Sequence, residues 1–305
     1  MKKQFAYSII IPHKNIPSLL QRCLDSIPQR DDVQIIVVDD NSNPLKVDFE
    51  KFPGLDKPNT EVYFDKSGKG AGRARNIGLE HANGEWVIFA DSDDVFEPDF
   101  PKILEMLLED TESDVVNFDV VSRNLEDNAP NDEIEKIGYH CNTPQYINNP
   151  QTFKYVVLTP WGKVIRRSLI EGKKIRYEEV AYGNDLFFAT LVDFYCEHRR
   201  IIPIVGYCWM KRINSLWRQE NLEWAKIRFN VLVKTACTMK KLGDDEVAER
   251  YFEGAKGFLF TILKFSKIEY LKSLIKYGMY TNDLRIIFKQ APREAIFLFK
   301  DYLLS

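Results

Sequence analysis

The chain is predicted to be α/β: a mostly parallel sheet covered by helices on both faces, followed by an all-helical C-terminal region. Two observations carry this. In the first half, short unalternated apolar runs rich in β-branched residues are separated by helical patterns. From about residue 219 onward only helical periodicity remains.

The elements follow in order. YSIIIP (7–12) is a strand ended by Pro12, and SLLQRCLDSI (18–27) sets Leu19, Leu20, Cys23, Leu24 and Ile27 on one helical face. VQIIVVDD (33–40) and EVYFD (61–65) are the next strands. GRARNIGLEHANG (72–84) reads as a helix stopped by Gly84, and WVIFA (86–90) as the strand after it. SDVVNFDVV is a further strand, NLEDNAPNDE a surface loop, and mixed α/β pattern resumes over 160–213. Helices are then expected at WAKIRFNVLVKTACTMKKL, EVAERYFEGAKGFLFTILKF, IEYLKSLIKYGMY and PREAIFLFKDYLL, the last with Pro292 at its start.

Composition narrows the function classes. A hydrophobic share of 45% with 29% charged residues is that of a soluble globular protein. A net charge of −3 gives no reason to expect nucleic acid as a partner. Residues 221–305 carry 15 Lys/Arg against 10 Asp/Glu, so a basic helical tail of net +5 follows a body of net −8. The longest apolar runs are too short to cross a bilayer, and MKKQFAYSIIIP lacks the h-region of a signal peptide, so a cytoplasmic location is expected. The five cysteines are scattered without a CxxC pair, which argues against a zinc site and a disulfide framework.

Two strands end in acids. IIVVDDNS delivers Asp39 and Asp40; WVIFADSDD delivers Asp91, Asp93 and Asp94. In a parallel sheet both ends lie at the ligand-binding rim. Carboxylates this close raise one another's pKa, and a hard divalent cation relieves them. Taken singly, each cluster could equally be a turn or a helix N-cap. Between them lies KSGKGAGRARNIG, whose glycines allow close backbone approach and whose Lys69, Arg73 and Arg75 suit an anionic group at a helix N-terminus. It contains no GK[ST], so it is not a P-loop, and a flexible solvated loop is the bland alternative.

PHKN (12–15), VVDDNSN (37–43), GRARNIGLEHANGEW (72–86) and FADSDD (89–94), in that order, resemble the inverting glycosyltransferases of family 2, which have the GT-A fold. PWGKVIRRSLI (160–170), YGNDLFF (182–188) and YCWMKRINS (207–215) resemble the acceptor-side segments of bacterial capsule and surface-polysaccharide members. The resemblance covers roughly residues 5–215. It implies a catalytic domain over 1–218, with a nucleotide-sugar half at 1–110 and an acceptor half at 111–218, and leaves 219–305 as a helical region.

By that resemblance, Asp91-Ser92-Asp93 is the D-x-D motif that holds Mn²⁺ or Mg²⁺ on the diphosphate of a nucleotide-sugar. Asp93 is the direct ligand, and Asp91 reaches the ribose or a metal-bound water. Asp40 contacts the base, beside Pro12, His13 and Asn15; family members often carry Tyr where His13 stands. Gly72 and Arg75 face the nucleotide. Trp161 and Lys163 match an acceptor-side segment, though Trp161 fits a core position equally well. Lys211, Arg212 and Ser215 match a segment that closes over the diphosphate, or form a solvated turn. The general base falls on Asp185, with Asn184 where relatives commonly carry Glu; an N-cap for the following helix is the alternative for Asp185. The QxxRW signature of processive members is absent, so one sugar per encounter is expected.

The expected partners are a nucleotide-sugar, chiefly a UDP-sugar, and a glycan or lipid-linked acceptor. The basic tail reads either as a packed bundle or homodimer surface, or as a peripheral contact at the inner face of the membrane. Two other readings stand beside the enzyme: a GT-A scaffold that has lost catalysis, suggested by Asn184, and a sugar nucleotidyltransferase, which would want its Gly-rich loop directly after the first strand.

Overall fold

The computed structural model describes residues 5–212 and 220–281. Its first strands and helices are β1 (Tyr7–His13), α1 (Pro17–Ser26), β2 (Val33–Asp40), β3 (Thr60–Asp65), α2 (Ala71–His81) and β4 (Trp86–Phe89). β5 (Val95–Phe96), α3 (Phe100–Leu107), β6 (Val115–Asn124), α4 (Glu133–Lys136) and α5 (Pro144–Asn148) follow. The sheet is completed by β7 (Lys163–Arg166), α6 (Arg167–Gly172), α7 (Asn184–Tyr195) and β8 (Arg199–Lys211). The helices α8 (Leu222–Lys241), α9 (Asp245–Phe265) and α10 (Lys267–Thr281) end the described chain.

Among the described residues, eight strands form one sheet in the order β3-β2-β1-β4-β7-β6-β8-β5. β1 pairs in parallel with β2 and β4, and β2 with β3, as the unalternated apolar runs predict. Beyond β4 the sheet is mixed: β7 is antiparallel to both its neighbours, β5 is antiparallel to β8, and β6 runs parallel to β8. Strand residues alternate between two buried layers. Ile9, Ile11, Ile35 and Val37 pack with α1 and α3 on one face; Ile10, Ile36 and Val38 pack with α2 and α7 on the other.

Gly84 does not stop a helix. α2 ends at His81, and Gly84 lies where an added Cβ would sit 2.5 Å from the backbone of Tyr7 and Ser8, so its small size lets the chain enter β4 against β1. The chain divides into two compact units. One runs to Val180 and resumes at Phe188 through β8; the other joins Ala181–Phe187 with α8, α9 and α10. In the second unit the three helices bury Phe229, Phe252, Leu259 and Leu274, the packed bundle that one reading of the tail predicted. No helix among the described residues is long and apolar enough to cross a membrane. The helix expected at 292–304 lies outside the described residues.

Candidate active site

At the carboxyl ends of β1 and β2, Asp39 and Asp40 diverge. Asp39 faces inward, and His13 Nδ1 lies 2.8 Å from its Oδ1. The Ile16 amide donates to His13 Nε2 at 3.1 Å, which selects the tautomer with the proton on Nδ1, donated to Asp39. The Ser42 amide and hydroxyl also donate to Asp39, at 2.9 and 2.5 Å. Burial pushes the Asp39 carboxyl up, but the hydrogen bonds from His13 and Ser42 outweigh it and hold it below the ordinary value. His13, expected beside the base, is thus buried in a structural network. Asn15, in left-handed backbone at φ 62°, donates its amide to Ser42 Oγ at 2.8 Å and accepts from the Asn43 amide at 2.7 Å. It ties the β1 loop to the β2 loop. Pro12 is buried within β1.

Asp40 turns the other way. Its Oδ1 accepts from the Gly70 amide at 3.0 Å and its Oδ2 pairs with Lys14 Nζ at 2.9 Å. The carboxylate expected at the nucleobase therefore anchors the Gly-rich loop at the start of α2. Gly70 holds φ 91° there, a conformation that favours glycine.

The turn Asp91-Ser92-Asp93-Asp94 leaves β4 at the same rim. Asp91 Oδ1 receives Arg75 Nη2 from α2 at 2.6 Å, while the Arg75 guanidinium lies 5.2 Å from the Tyr177 ring. Asp93 Oδ2 lies 2.8 Å from Arg212 Nε, and its carbonyl accepts from Arg22 Nη2 at 2.6 Å. Burial and then the Asp91 charge push the Asp93 carboxyl up, with Arg212 opposing. Both acids remain accessible, with side chains 31% and 21% exposed, whereas Ser92 is buried. Asp94, 1% exposed, accepts from the Tyr207 hydroxyl at 2.7 Å and the Met210 amide at 2.7 Å. Asp94 is a bracket for the turn rather than an open ligand.

Other predicted positions fall elsewhere. Gly72 is buried in the first turn of α2. Lys69 and Arg73 pair with Glu179 at 3.2 and 3.3 Å, a partner that nothing in the local pattern around 179 announced. Trp161 and Lys163, expected on the acceptor side, are 4% and 2% exposed. Trp161 stacks on Tyr207 at 5.8 Å in the core, and Lys163 Nζ reaches the Val157 carbonyl at 3.4 Å, so neither side chain faces solvent. Lys211 pairs with Glu133 at 2.5 Å. Asn184 and Asp185 form the first turn of α7, in the second unit. Ser215 lies outside the described residues.

Among the described residues no three His, Cys, Asp or Glu side chains form a ready cage for a metal ion. The donor set at the turn still fits a hard divalent cation: two accessible carboxylates with one residue between them, one pushed up by burial and then by the charge of the other, suit an ion whose remaining ligands are phosphate and water.

The sequence profile of glycosyl transferase family 2 matches residues 8–172, more than half of the chain. The chain belongs to glycosyl transferase family 2. The putative glycosyltransferase EpsH of Bacillus subtilis is 27% identical over 69% of this chain and 62% of its own length. Glycosyltransferase GlyA of Streptococcus pneumoniae is 23% identical over 77% of this chain and 35% of its own. The chain thus spans less than two thirds of either relative. Solved structures share the fold. TarS of S. aureus in complex with UDP-GlcNAc gives a TM-score of 0.63 at 19% identity, covering 95% of this chain and 83% of that one. A mannosyltransferase from Pyrobaculum calidifontis, in complex with GDP-Man and Mn²⁺, gives 0.52 at 15% identity over 99% and 81%. The family 2 domain here has the GT-A fold.

Proposed function

We propose that this family 2 chain is a metal-dependent, inverting, non-processive glycosyltransferase. It moves one hexosyl or N-acetylhexosaminyl unit from a UDP-sugar to a hydroxyl of a glycan or lipid-linked saccharide in surface-polysaccharide synthesis. The observation that carries the reading is the accessible Asp91/Asp93 pair on the turn after β4, at the rim where β2 also ends in Asp40.

Asp93, with Asp91, would hold Mn²⁺ or Mg²⁺, which when bound neutralises the departing diphosphate. Arg75 Nη2 fixes Oδ1 of the Asp91 carboxylate at 2.6 Å. The first turn of α2 presents backbone N–H groups where an anion is favoured, with the loop before it held in place by the Gly70 amide on Asp40. Inversion needs one carboxylate to take the proton of the acceptor hydroxyl as its oxygen attacks opposite the leaving group. Asp185 is assigned that step from its match to the family motif and its place in the first turn of α7.

Asn184, where the family resemblance commonly implies an acid, favours one competing reading, a donor-binding scaffold without turnover. Asp185→Asn separates the two. The enzyme reading expects sugar transfer to fall by at least about a thousandfold with UDP-sugar affinity changed less than about threefold. Undiminished transfer in Asp185→Asn overturns the base assignment. A wild-type chain that binds donor yet neither transfers nor hydrolyses it, with Mn²⁺ present, establishes the scaffold.

A further inference from the structure

Tyr207 belongs to β8, yet its hydroxyl sits under the acidic turn that follows β4. The Asp91 amide donates to Tyr207 Oη at 2.9 Å, and the same hydroxyl donates to Asp94 Oδ2 at 2.7 Å. Asp94 Oδ1 takes the Met210 amide at 2.7 Å, and the Asp94 amide closes back on the Asp91 carbonyl at 3.1 Å. One hydroxyl therefore grips both ends of the turn that carries Asp91 and Asp93.

The ring that bears this hydroxyl cannot drift. Tyr207 is fully buried, stacked on Trp161 at 5.8 Å and met edge-on by Phe96 at 5.4 Å. Phe96 is also its cross-strand partner between β5 and β8. The turn is the short link from β4 to β5, so its backbone and the strand that follows it are both referred to one side chain.

We propose that Tyr207, acting through Asp94 and the Asp91 amide, is the positioning residue that sets the geometry of the two metal-binding carboxylates. The proposal rests on the metal-site reading of Asp91 and Asp93 given above. Metal–oxygen distances tolerate only about 0.2 Å of error, and partners that orient ligands typically govern affinity by about 10- to 100-fold. Removing the hydroxyl takes away the partner of the Asp91 amide and of Asp94 Oδ2 together, leaving Asp94 only the Met210 amide, so the spacing of the two carboxylates loses its template.

The test is Tyr207→Phe in the full chain, which deletes one oxygen and keeps the ring packing. Free Mn²⁺ is followed by electron paramagnetic resonance as MnCl₂ is titrated into protein with UDP. The apparent Mn²⁺ Kd is expected to rise about tenfold or more, with donor KM rising in step and kcat at saturating Mn²⁺ within about twofold of wild type. Tyr139→Phe is the control for stability alone. It removes a buried hydroxyl bonded to the Phe118 and Gly162 carbonyls, away from the turn, and should lower Tm while leaving the Mn²⁺ Kd unchanged. A Tyr207→Phe chain with lowered Tm and wild-type Mn²⁺ affinity overturns the proposal. If that variant does not fold, Asp94→Asn is read by the same titration, with the same rise expected and an unchanged Kd overturning it. Asp93→Asn separates the two levels: wild-type Mn²⁺ affinity there defeats the metal-site reading, whereas its loss beside an intact Tyr207→Phe defeats this proposal alone.

Discussion

Asp39 and Asp40 are consecutive on β2, and strand geometry sends their side chains to opposite faces. The inner one meets His13 and Ser42; the outer one meets Lys14 and the Gly70 amide. Only Asp40 was singled out by resemblance, because a paired motif does not say which acid is consumed by internal hydrogen bonds. The Asp39 network has a measurable weight. Asp39→Ala leaves a buried His13 N–H and the Ser42 donors unpaired and is expected to cost about 3 kcal/mol in urea unfolding. The pH dependence follows from the depressed carboxyl: the unfolded state binds the proton more readily, so the contribution is complete above the ordinary value near about 4 and is lost as pH falls through the folded value. The stability gap between wild type and Asp39→Ala should shrink in acid and be flat at neutral pH. A gap that widened in acid would contradict this.

At the scale of elements, the parallel strands β1, β2 and β4 were legible because each is buried on both faces and so reads as a largely apolar run. The antiparallel half was not, since β7 and β5 are only four and two residues long and carry too little pattern to reveal direction. Glycines were legible as punctuation but not as contacts. Gly78 sits where a Cβ would approach Ile10 Cγ2 to 2.3 Å, so α2 lies close on β1, and Gly84 abuts backbone at 2.5 Å. At Gly78 the obstacle is a side chain in the core, whereas the Tyr7–Ser8 backbone at Gly84 cannot yield without disturbing β1. Gly84→Ala is therefore expected to destabilise by about 3 kcal/mol and Gly78→Ala by less, as read from their denaturation midpoints. Equal, negligible effects would mean the approach of these elements is looser than the structure has it.

For the molecule as a whole, the order of short motifs identified the family and placed the acids at the sheet's rim. The side chains that support those acids come from distant segments: Tyr207 reaches Asp91 across 116 residues, and Glu179 reaches Lys69 across 110. No local periodicity encodes such pairings. Trp161 shows the converse, since a tryptophan in a matching acceptor-side segment is spent on the core beneath the site. In the proposed function, Asp91 and Asp93 hold a divalent cation against a nucleotide diphosphate. Ligand that binds only the folded state raises stability by about 2.7 kcal/mol at a hundred times Kd. The most direct measurement is a thermal-shift panel of UDP-sugars and other nucleotide-sugars, with Mn²⁺ or with EDTA, on wild type and Asp93→Asn. A Tm rise of several degrees is expected for UDP-sugars with Mn²⁺, abolished by EDTA and by Asp93→Asn. An equal rise in EDTA, or in Asp93→Asn, would contradict it.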